Sequence, residues 1–213
     1  MKNNSSYRLY GRTKGRKKKN INELFLKIKL KEIDKKKFNI IDIGAGSGES
    51  TIKIAKEDKS KVVICCDKYI DGLNSLFNKT EKYSLDNVYI YQGNVYQMLD
   101  DYCKEDFISE IWILFPDPWP KKRHFKRRLV DKLFFMKINK YLKCGAIINI
   151  ASDSKSYISQ ILKSIYLIKE DFEWLNQSKS EWDYNLEILP ETKYYKKAQK
   201  NGLSPFYAKL MKL

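Results

Sequence analysis

Short apolar runs alternate with longer segments of helical length or periodicity from residue 38 onward. Five apolar runs predict strands that are buried on both faces, at residues 38–43, 61–66, 88–92, 111–115 and 146–150. The segments between them predict helices, at residues 47–57, 70–83, 95–102 and 125–142. This β-α-β-α order is typical of an α/β fold with a doubly wound, mostly parallel sheet and helices on both faces.

The C-terminal part of the chain extends this pattern. We expect a further helix at residues 154–167 and antiparallel edge strands at 173–177 and 206–211. A chain of 213 residues can bury one sizeable core. We therefore predict one domain over residues 38–213, preceded by an arm over residues 1–37.

Positive charge is concentrated at the N-terminus. The chain has 42 Lys and Arg and 26 Asp and Glu, which gives a formal net charge of +16. The arm carries 14 Lys and Arg against the acids Glu23, Glu32 and Asp34, a surplus of 14 − 3 = +11. Such clustering indicates a polyanionic partner, and we expect a flexible arm that binds nucleic acid.

The cysteines and the hydropathy pattern exclude several classes of protein. The 4 cysteines form no C-x-x-C pair, and the chain has 1 histidine, so we expect no metal site. Cys65 and Cys66 lie in a predicted buried strand, which favours reduced thiols. No apolar stretch has the length of a transmembrane helix, and no secretory signal is present. We expect a cytoplasmic protein without a membrane partner.

Polar side chains follow each predicted strand of the parallel sheet. They are Asp42, Asp67, Asn94, Asp117 and Asp153. In open parallel sheets, ligands bind beyond the carboxyl ends of the strands, where the strand order reverses. The sequence therefore predicts a polar site at this edge.

A glycine loop joins the first predicted strand to the first helix. It reads Asp-x-Gly-x-Gly-x-Gly from Asp42, with glycines at positions 44, 46 and 48. Gly48 comes one residue too early for a dinucleotide fingerprint, and no Gly-Lys-Ser/Thr follows as in a P-loop. Asp67, about twenty residues further on, is placed as an acid that binds a ribose diol.

The segment from Phe115 to Arg128 joins a carboxylate to a cationic patch. Of the 5 prolines in the chain, Pro116, Pro118 and Pro120 lie here. Each proline fixes its own φ and biases the preceding residue toward extended geometry, so Asp117 is predicted to lie on a stiff segment. The basic run over residues 121–128 matches a phosphate-binding surface.

The glycine loop and the segment from Phe115 to Arg128 together resemble motifs of the tRNA (guanine-N7)-methyltransferase family. Members of this family have a Rossmann-like class I methyltransferase fold. The similarity extends from Phe38 to Tyr194 and includes Ala-Ser-Asp at 151–153 and Thr-Lys-Tyr at 192–194. It implies that S-adenosyl-L-methionine is the cofactor and tRNA the partner. The implied product is 7-methylguanosine at position 46 of the variable loop.

The resemblance also implies roles for individual residues, with Asp117 as the catalytic residue. Implied cofactor contacts are Asp42, Gly44, Gly46, Gly48, Asp67, Asn94 and Asp117. Implied substrate contacts are Lys121, Asp153, Thr192, Lys193, Tyr194 and Tyr195. Implied RNA contacts are Arg123, His124, Lys126, Arg127 and Arg128.

Two of these positions depart from the family pattern. Asn94 stands where the family usually has Asp, and it can still bond adenine. Tyr195 stands where the family usually has Glu, and it cannot supply a carboxylate to a guanine pocket.

The chemistry of guanine N7 shapes the expected mechanism. N7 carries a lone pair and no proton, so positioning dominates and no general base is needed. We expect Asp117 to stabilise the positive charge that moves to the purine. His124 is then an RNA contact or a surface residue, and Tyr194 or Trp119 can stack on a splayed base. Trp119 can equally be a wedge packed under its loop.

Alternative functions remain open at this stage. An adenine N6-methyltransferase would need a second proline before Trp119, which is absent. A catalytically weak or inactive RNA-binding protein could retain this fold as a scaffold. The protein is expected to be a monomer or a weak homodimer.

Overall fold

The computed structural model describes residues 33–34 and 36–213, so nearly all of the predicted arm lies outside the described residues. The chain forms one seven-stranded sheet with helices on both faces. The strands are β1 Asn39–Ile43, β2 Val62–Asp67, β3 Val88–Gln92, β4 Ile108–Leu114, β5 Leu142–Ser152, β6 Phe172–Trp174 and β7 Phe206–Lys212. The helices are α1 Glu49–Glu57, α2 Ile70–Lys82, α3 Val95–Tyr102, α4 Lys132–Asn139, α5 Lys155–Tyr166 and α6 Lys193–Lys200.

The order of the strands fixes where a ligand can bind. The sheet runs β3-β2-β1-β4-β5-β7-β6, with β1 to β5 parallel. β7 pairs antiparallel with β5, and β6 with β7. The predicted doubly wound fold with an antiparallel edge is confirmed. Since the order reverses between β1 and β4, the crevice for a ligand lies beyond the carboxyl ends of these two strands.

The core forms two layers, one on each face of the sheet. Alternate residues of a strand point to opposite faces. In β1, Ile41 packs with the layer that holds α3, α4 and α5. Ile40 packs with the layer that holds α1, α2 and Tyr195 of α6. Because both faces of the central strands are covered, these strands have few exposed positions, which explains their continuous apolar runs.

The predicted helix at 125–142 is wrong. A 3₁₀ helix, Lys122–Arg127, ends at Arg128, which has extended backbone angles of φ −65° and ψ 137°. A separate helix, α4, starts after Asp131, whose side chain accepts a hydrogen bond of 2.8 Å from the backbone N–H of Phe134. An aspartate at this position caps a helix N-terminus and satisfies an otherwise unpaired amide. This cap favours a new helix over a continuous one.

Other predicted boundaries also change in the structure. β5 covers residues 142–152, so the last residue of the predicted helix at 125–142 lies in a strand. β6 is shorter than the predicted strand at 173–177. Helix α6 was not predicted. Its N-cap, Thr192, accepts a hydrogen bond of 3.1 Å from the backbone N–H of Tyr195.

Helix α2 packs directly against the glycine loop through Gly72. A Cβ added at Gly72 would lie 2.6 Å from the carbonyl oxygen of Gly46. No Cβ tolerates such a distance, so a side chain here would force the helix and the loop apart. The position of the loop at the carboxyl end of β1 therefore depends on this close approach.

We expect Gly72→Ala to destabilise the protein by roughly 1–3 kcal/mol, because the added methyl group overpacks the contact with Gly46. Urea unfolding followed by circular dichroism measures the change. Asn78→Ala, at an exposed position of the same helix, is the control for a change in helix propensity. Equal stability of Gly72→Ala and the wild type would contradict the close approach.

Candidate active site

The glycine loop between β1 and α1 is held by backbone groups and by one carboxylate of the next strand. The N–H of Gly44 donates to the carbonyl of Cys66, and the N–H of Gly48 donates to that of Ala45, both at 2.8 Å. The N–H of Gly46 donates to Oδ2 of Asp67 at 2.8 Å. Gly48 has φ +81° and forms the N-cap of α1, a conformation that glycine adopts without strain. The loop is thus fixed before any ligand binds.

Asp42 lies behind the glycine loop and does not face the cavity. Its side chain is 1% exposed, and Oδ2 accepts hydrogen bonds from Ser50 Oγ at 2.6 Å and Thr51 Oγ1 at 2.7 Å. Burial raises the pKa of Asp42 to about 6, although the two hydroxyl bonds act in the opposite direction. Asp42 therefore ties β1 to the first turn of α1, and its expected direct contact with the cofactor finds no support in this geometry.

Asp67 is the last residue of β2, Asn94 follows β3, and both line the main cavity. Asp67 Oδ1 accepts a hydrogen bond of 2.9 Å from the N–H of Tyr69, while Oδ2 holds Gly46. Two carboxylate oxygens offer about four acceptor sites, so capacity remains for a diol. Asn94 caps α3 by accepting a hydrogen bond of 2.9 Å from the N–H of Tyr96.

The segment after β4 places Asp117 at the cavity. Asp117 lies between Pro116 and Pro118, is exposed and lines the cavity. Phe115 and Trp119, however, have φ +55° and +40°, so the expectation of extended geometry before each proline is wrong at these two residues. Positive φ in bulky residues costs roughly 1–3 kcal/mol each and clusters at functional sites.

Trp119 packs against two residues of the basic segment. The Arg127 guanidinium lies 5.0 Å from the centre of the Trp119 ring, and the His124 ring meets it edge-on at 5.8 Å between centroids. Partial burial and the neighbouring cations, Arg127 first, lower the pKa of His124. Trp119 is half-buried and, besides these two contacts, lines the main cavity.

The main cavity has a volume of about 850 Å³. Its walls include the glycine loop at Gly44 and Gly46, the ends of β2 and β3, the Asp117 segment, and Lys193 and Tyr194 of α6. This volume lies in the range of small-molecule and cofactor sites. The cavity therefore brings together most of the cofactor positions that the sequence indicated and two of the substrate positions.

Helix α6 reaches the glycine loop and the Asp117 segment. Lys193 Nζ donates to Ser47 Oγ at 2.6 Å, and the Tyr194 ring stacks on Phe115 with centroids 6.5 Å apart. Burial, followed by the charges of Asp117 and Asp67, raises the pKa of the Tyr194 phenol. Tyr194 is therefore protonated at neutral pH and can donate a hydrogen bond next to Asp117.

Other predicted substrate residues lie outside the main cavity. Thr192 is buried, caps α6 and lines a small adjoining pocket. Tyr195 is buried and stacks on Tyr184 with centroids 4.8 Å apart. Lys121 is exposed before the 3₁₀ helix, and Asp153 is half-buried between β5 and α5; neither lines the cavity.

The basic segment separates into exposed and buried cations. Lys121, Arg123 and Lys126 are exposed, while Arg127 is half-buried. Arg128 is 3% exposed, and its guanidinium is hydrogen-bonded to protein groups. The structure therefore leaves the other basic residues, and not Arg128, open to a nucleic acid.

Sequence reasoning missed Lys68 as a cavity residue. Lys68 follows Asp67, is half-buried and lines the cavity. Burial lowers the pKa of its ammonium group, while the charges of Asp117 and Asp67 raise it. Its position next to a strand-end aspartate was the signal that could have identified it.

Two further classes of site are not seen among residues 33–34 and 36–213. No helix there is long and apolar enough to cross a membrane. The same residues contain no group of at least 3 His, Cys, Asp or Glu placed to hold a metal ion.

Comparison with known proteins identifies the family. A family model described as "Putative methyltransferase" matches residues 36–208. A tRNA (guanine-N(7)-)-methyltransferase of Ruegeria pomeroyi (strain ATCC 700808 / DSM 15171 / DSS-3) is 32% identical over 173 residues, 81% of this chain and 72% of the relative. The chain belongs to the tRNA (guanine-N7)-methyltransferase family. The resemblance carried by the two sequence motifs is thus confirmed.

More distant similarities agree with this family. A tRNA (guanine-N(7)-)-methyltransferase of Ruegeria sp. (strain TM1040) is 30% identical over 167 residues, 78% of this chain, and the chain spans 64% of that relative's length. The structure of NSun6 from Pyrococcus horikoshii superposes with a TM-score of 0.60 at 19% identity, over 90% of this chain and 52% of that one. At this identity the superposition shows a shared methyltransferase fold.

The buried carboxyl of Asp42 predicts a pH dependence of stability. Its folded pKa of about 6 lies above the ordinary value of 3.8, so the folded state binds more protons between these values. Stability is therefore lost as the pH rises through this window. Asp42→Asn removes the titration and keeps an acceptor for both hydroxyls. Its stability relative to the wild type should rise by roughly 2 kcal/mol from pH 4 to pH 7.

Urea unfolding at pH 3, 4, 5, 6, 7 and 8 measures this difference. Asp58→Asn is a contrast, because the hydrogen bonds with Ser60 lower the pKa of Asp58. Its stability relative to the wild type should fall as the pH rises through the acid range. A pH-independent difference for Asp42→Asn would contradict a raised pKa at Asp42.

Proposed function

We propose that this protein transfers the methyl group of S-adenosyl-L-methionine to N7 of a guanine in tRNA, at position 46 of the variable loop, and forms 7-methylguanosine. The observation that supports this most is the meeting of two sets of residues at one cavity. Asp67 and the glycine loop form one set, Asp117 and Tyr194 form the other, and all of them line the same cavity. The two relatives named above are tRNA (guanine-N7)-methyltransferases, and each is similar to this chain over most of its length.

The residues present fit S-adenosyl-L-methionine. Gly44 lines the cavity, and a Cβ added there would meet no atom within 4 Å, so its backbone lies open to a ligand. Asp67 has acceptor capacity for a ribose diol, and Asn94 has a side-chain amide at the end of β3 for an adenine. When bound, this cofactor supplies a methyl group on a positively charged sulfur.

The carboxylate of Asp117 is placed to act on charge that reaches the purine. N7 has no proton to lose, so the protein must orient the base and stabilise the charge that methylation brings to it. Asp117 is exposed at the cavity, and the backbone of its segment is strained on both sides of it. A carboxylate fixed in advance stabilises a developing cation without reorganising, which is the larger part of such catalysis.

Tyr194 is the side chain placed to hold the guanine. It is 48% exposed, lines the cavity, and its ring is supported from behind by Phe115. An exposed, supported aromatic ring can stack on a base that has left its helix, and this is a common mode of RNA recognition. Trp119 also lines the cavity, but Arg127 packs over its ring and His124 contacts it, so Tyr194 is the better candidate of the two.

The buried Tyr195 also bears on substrate binding. Its ring packs on Tyr184 in the core, away from both the cavity and the small adjoining pocket. The guanine contact proposed for this position therefore does not come from the Tyr195 side chain. Its packing instead fixes the orientation of α6, which presents Lys193 and Tyr194.

Asp117→Asn should lower the rate of 7-methylguanosine formation by roughly 10²–10³-fold, because it removes the charge and keeps the shape of the side chain. The test incubates protein, S-adenosyl-L-methionine and unmodified tRNA and quantifies the nucleoside by mass spectrometry. Sequencing at single-nucleotide resolution locates the modified guanine.

A wild type that binds tRNA and forms no 7-methylguanosine would favour an RNA-binding protein on a methyltransferase scaffold. Product at another guanine would retain the reaction and overturn the proposed position. Equal rates for Asp117→Asn and the wild type would remove Asp117 from its proposed role.

The exposed cations of the basic segment should contribute to tRNA affinity by contact with phosphates. Replacing Arg123 and Lys126 together by Gln should reduce the slope of log affinity against log salt by about two, since each phosphate contact releases about one counterion. Lys59→Gln is the matched control, because exposed Lys59 precedes β2 at the opposite edge of the sheet. Filter binding between 50 and 300 mM KCl measures both; an unchanged slope in the double variant contradicts the proposal.

A further inference from the structure

Arg128 differs from its basic neighbours because its guanidinium is used entirely within the protein. It is 3% exposed, whereas the other Lys and Arg residues of its run are exposed or half-buried. Its Nε donates to the carbonyl of Pro118 at 2.7 Å, and Nη2 donates to Ser156 Oγ at 2.7 Å. Nη1 donates to the carbonyl of Ser156 and to Gln160 Oε1, both at 3.0 Å.

These contacts leave little for an RNA phosphate to bind. A guanidinium has five N–H groups, and the four hydrogen bonds above involve all three of its nitrogens. Its carbon also lies 3.6 Å from the centre of the Phe125 ring and 4.9 Å from that of Tyr157. Every acceptor is neutral, so Arg128 does not serve as half of an ion pair.

The contact with Pro118 acts on the segment that carries Asp117. The carbonyl of Pro118 belongs to the peptide that leads into Trp119, and Trp119 has a strained φ of +40°. A strained φ persists only where surrounding contacts over-determine it. The hydrogen bond from Arg128 fixes the plane of this peptide, one residue after Asp117.

The contacts on the other side reach the helix that follows Asp153. Ser156 and Gln160 lie in the first two turns of α5, which starts directly after Ser154. The planar guanidinium group of Arg128 thus joins the Asp117 segment to the start of α5. Lysine cannot reproduce this arrangement, because an ammonium group lacks the planar fork that reaches several acceptors at fixed angles.

We propose that Arg128 is a positioning residue for catalysis, which holds Asp117 in its working position through Pro118 and α5, and that it is not a tRNA contact. This inference rests on the proposed methyl transfer. It assigns to one arginine of the basic run a role distinct from that of its neighbours.

The test compares Arg128→Lys with Arg123→Gln. In Arg128→Lys, the single-turnover methylation rate at saturating tRNA should fall by about 10-fold or more, because a displaced catalytic group loses its orientation. Arg128→Gln, which removes the charge, should bind tRNA with the affinity and salt dependence of the wild type. Arg123→Gln should weaken tRNA binding and lower the salt slope by about one. Weaker binding with a lower slope in Arg128→Gln, together with an unchanged saturating rate in Arg128→Lys, would overturn the inference.

A double-mutant cycle distinguishes positioning of Asp117 from a general structural role. If Arg128 acts through Asp117, then Arg128→Lys should cost less than about 2-fold in an Asp117→Asn background, although it costs about 10-fold alone. Equal costs in both backgrounds would assign Arg128 to general stability and overturn the proposal.

Two further measurements distinguish a folding defect of the variant from a failure of the positioning role and from a failure of the proposed function. If Arg128→Lys does not fold, Ser156→Ala removes one acceptor from a folded protein and carries the same cycle, with a smaller loss expected. Formation of 7-methylguanosine by the wild type tests the proposed function independently. An active wild type with an equally active Arg128→Lys would therefore refute the positioning role alone.

Discussion

The hydrogen bond between Asp67 and Gly46 is the contact on which the rest of the site depends. It joins the end of β2 to the loop that follows β1, so two adjacent parallel strands fix one turn of backbone. The close approach of Gly72 in α2 holds the same turn from the other side. Lys193 of α6 then bonds to Ser47 of this loop, which brings Tyr194 to the cavity. A shift of the loop would therefore move both the proposed cofactor side and the proposed substrate side.

Much of this arrangement could be predicted from the sequence, because parallel strands buried on both faces leave continuous apolar runs. Strands β1 to β4 and helices α1 to α3 match the predicted elements closely. The region after residue 125 could not be predicted as well, since its apolar spacing suits one long helix. Asp131 decides the outcome by capping a new helix. A single capping hydrogen bond can start a new helix. The spacing of apolar residues does not show where such a cap forms, so this pattern alone predicts one long helix.

The positions of the site residues could be predicted from the sequence, but the orientations of their side chains could be predicted less well. Strand ends place Asp42, Asp67 and Asp117 at one edge of the sheet, as expected. Yet Asp42 points to Ser50 and Thr51 behind the loop, since these hydroxyls provide the donors that a buried carboxylate requires. Likewise, no feature of the run of basic residues separates Arg128 from its neighbours. Its partners lie about thirty residues further along the chain in α5, and only the fold brings them together.

A reaction that needs no general base places its main demand on geometry. The proposed role of Asp117 fits this demand, because Phe115 and Trp119 on either side of it have strained positive φ. Each contact around them opposes relaxation: Tyr194 stacks on Phe115, Arg127 packs on Trp119, and Arg128 bonds to Pro118. An extended backbone before each proline is lower in energy, so these contacts are needed to retain the strain. The strain, and the buried arginine that bonds to the same segment, thus support the proposed role of Asp117.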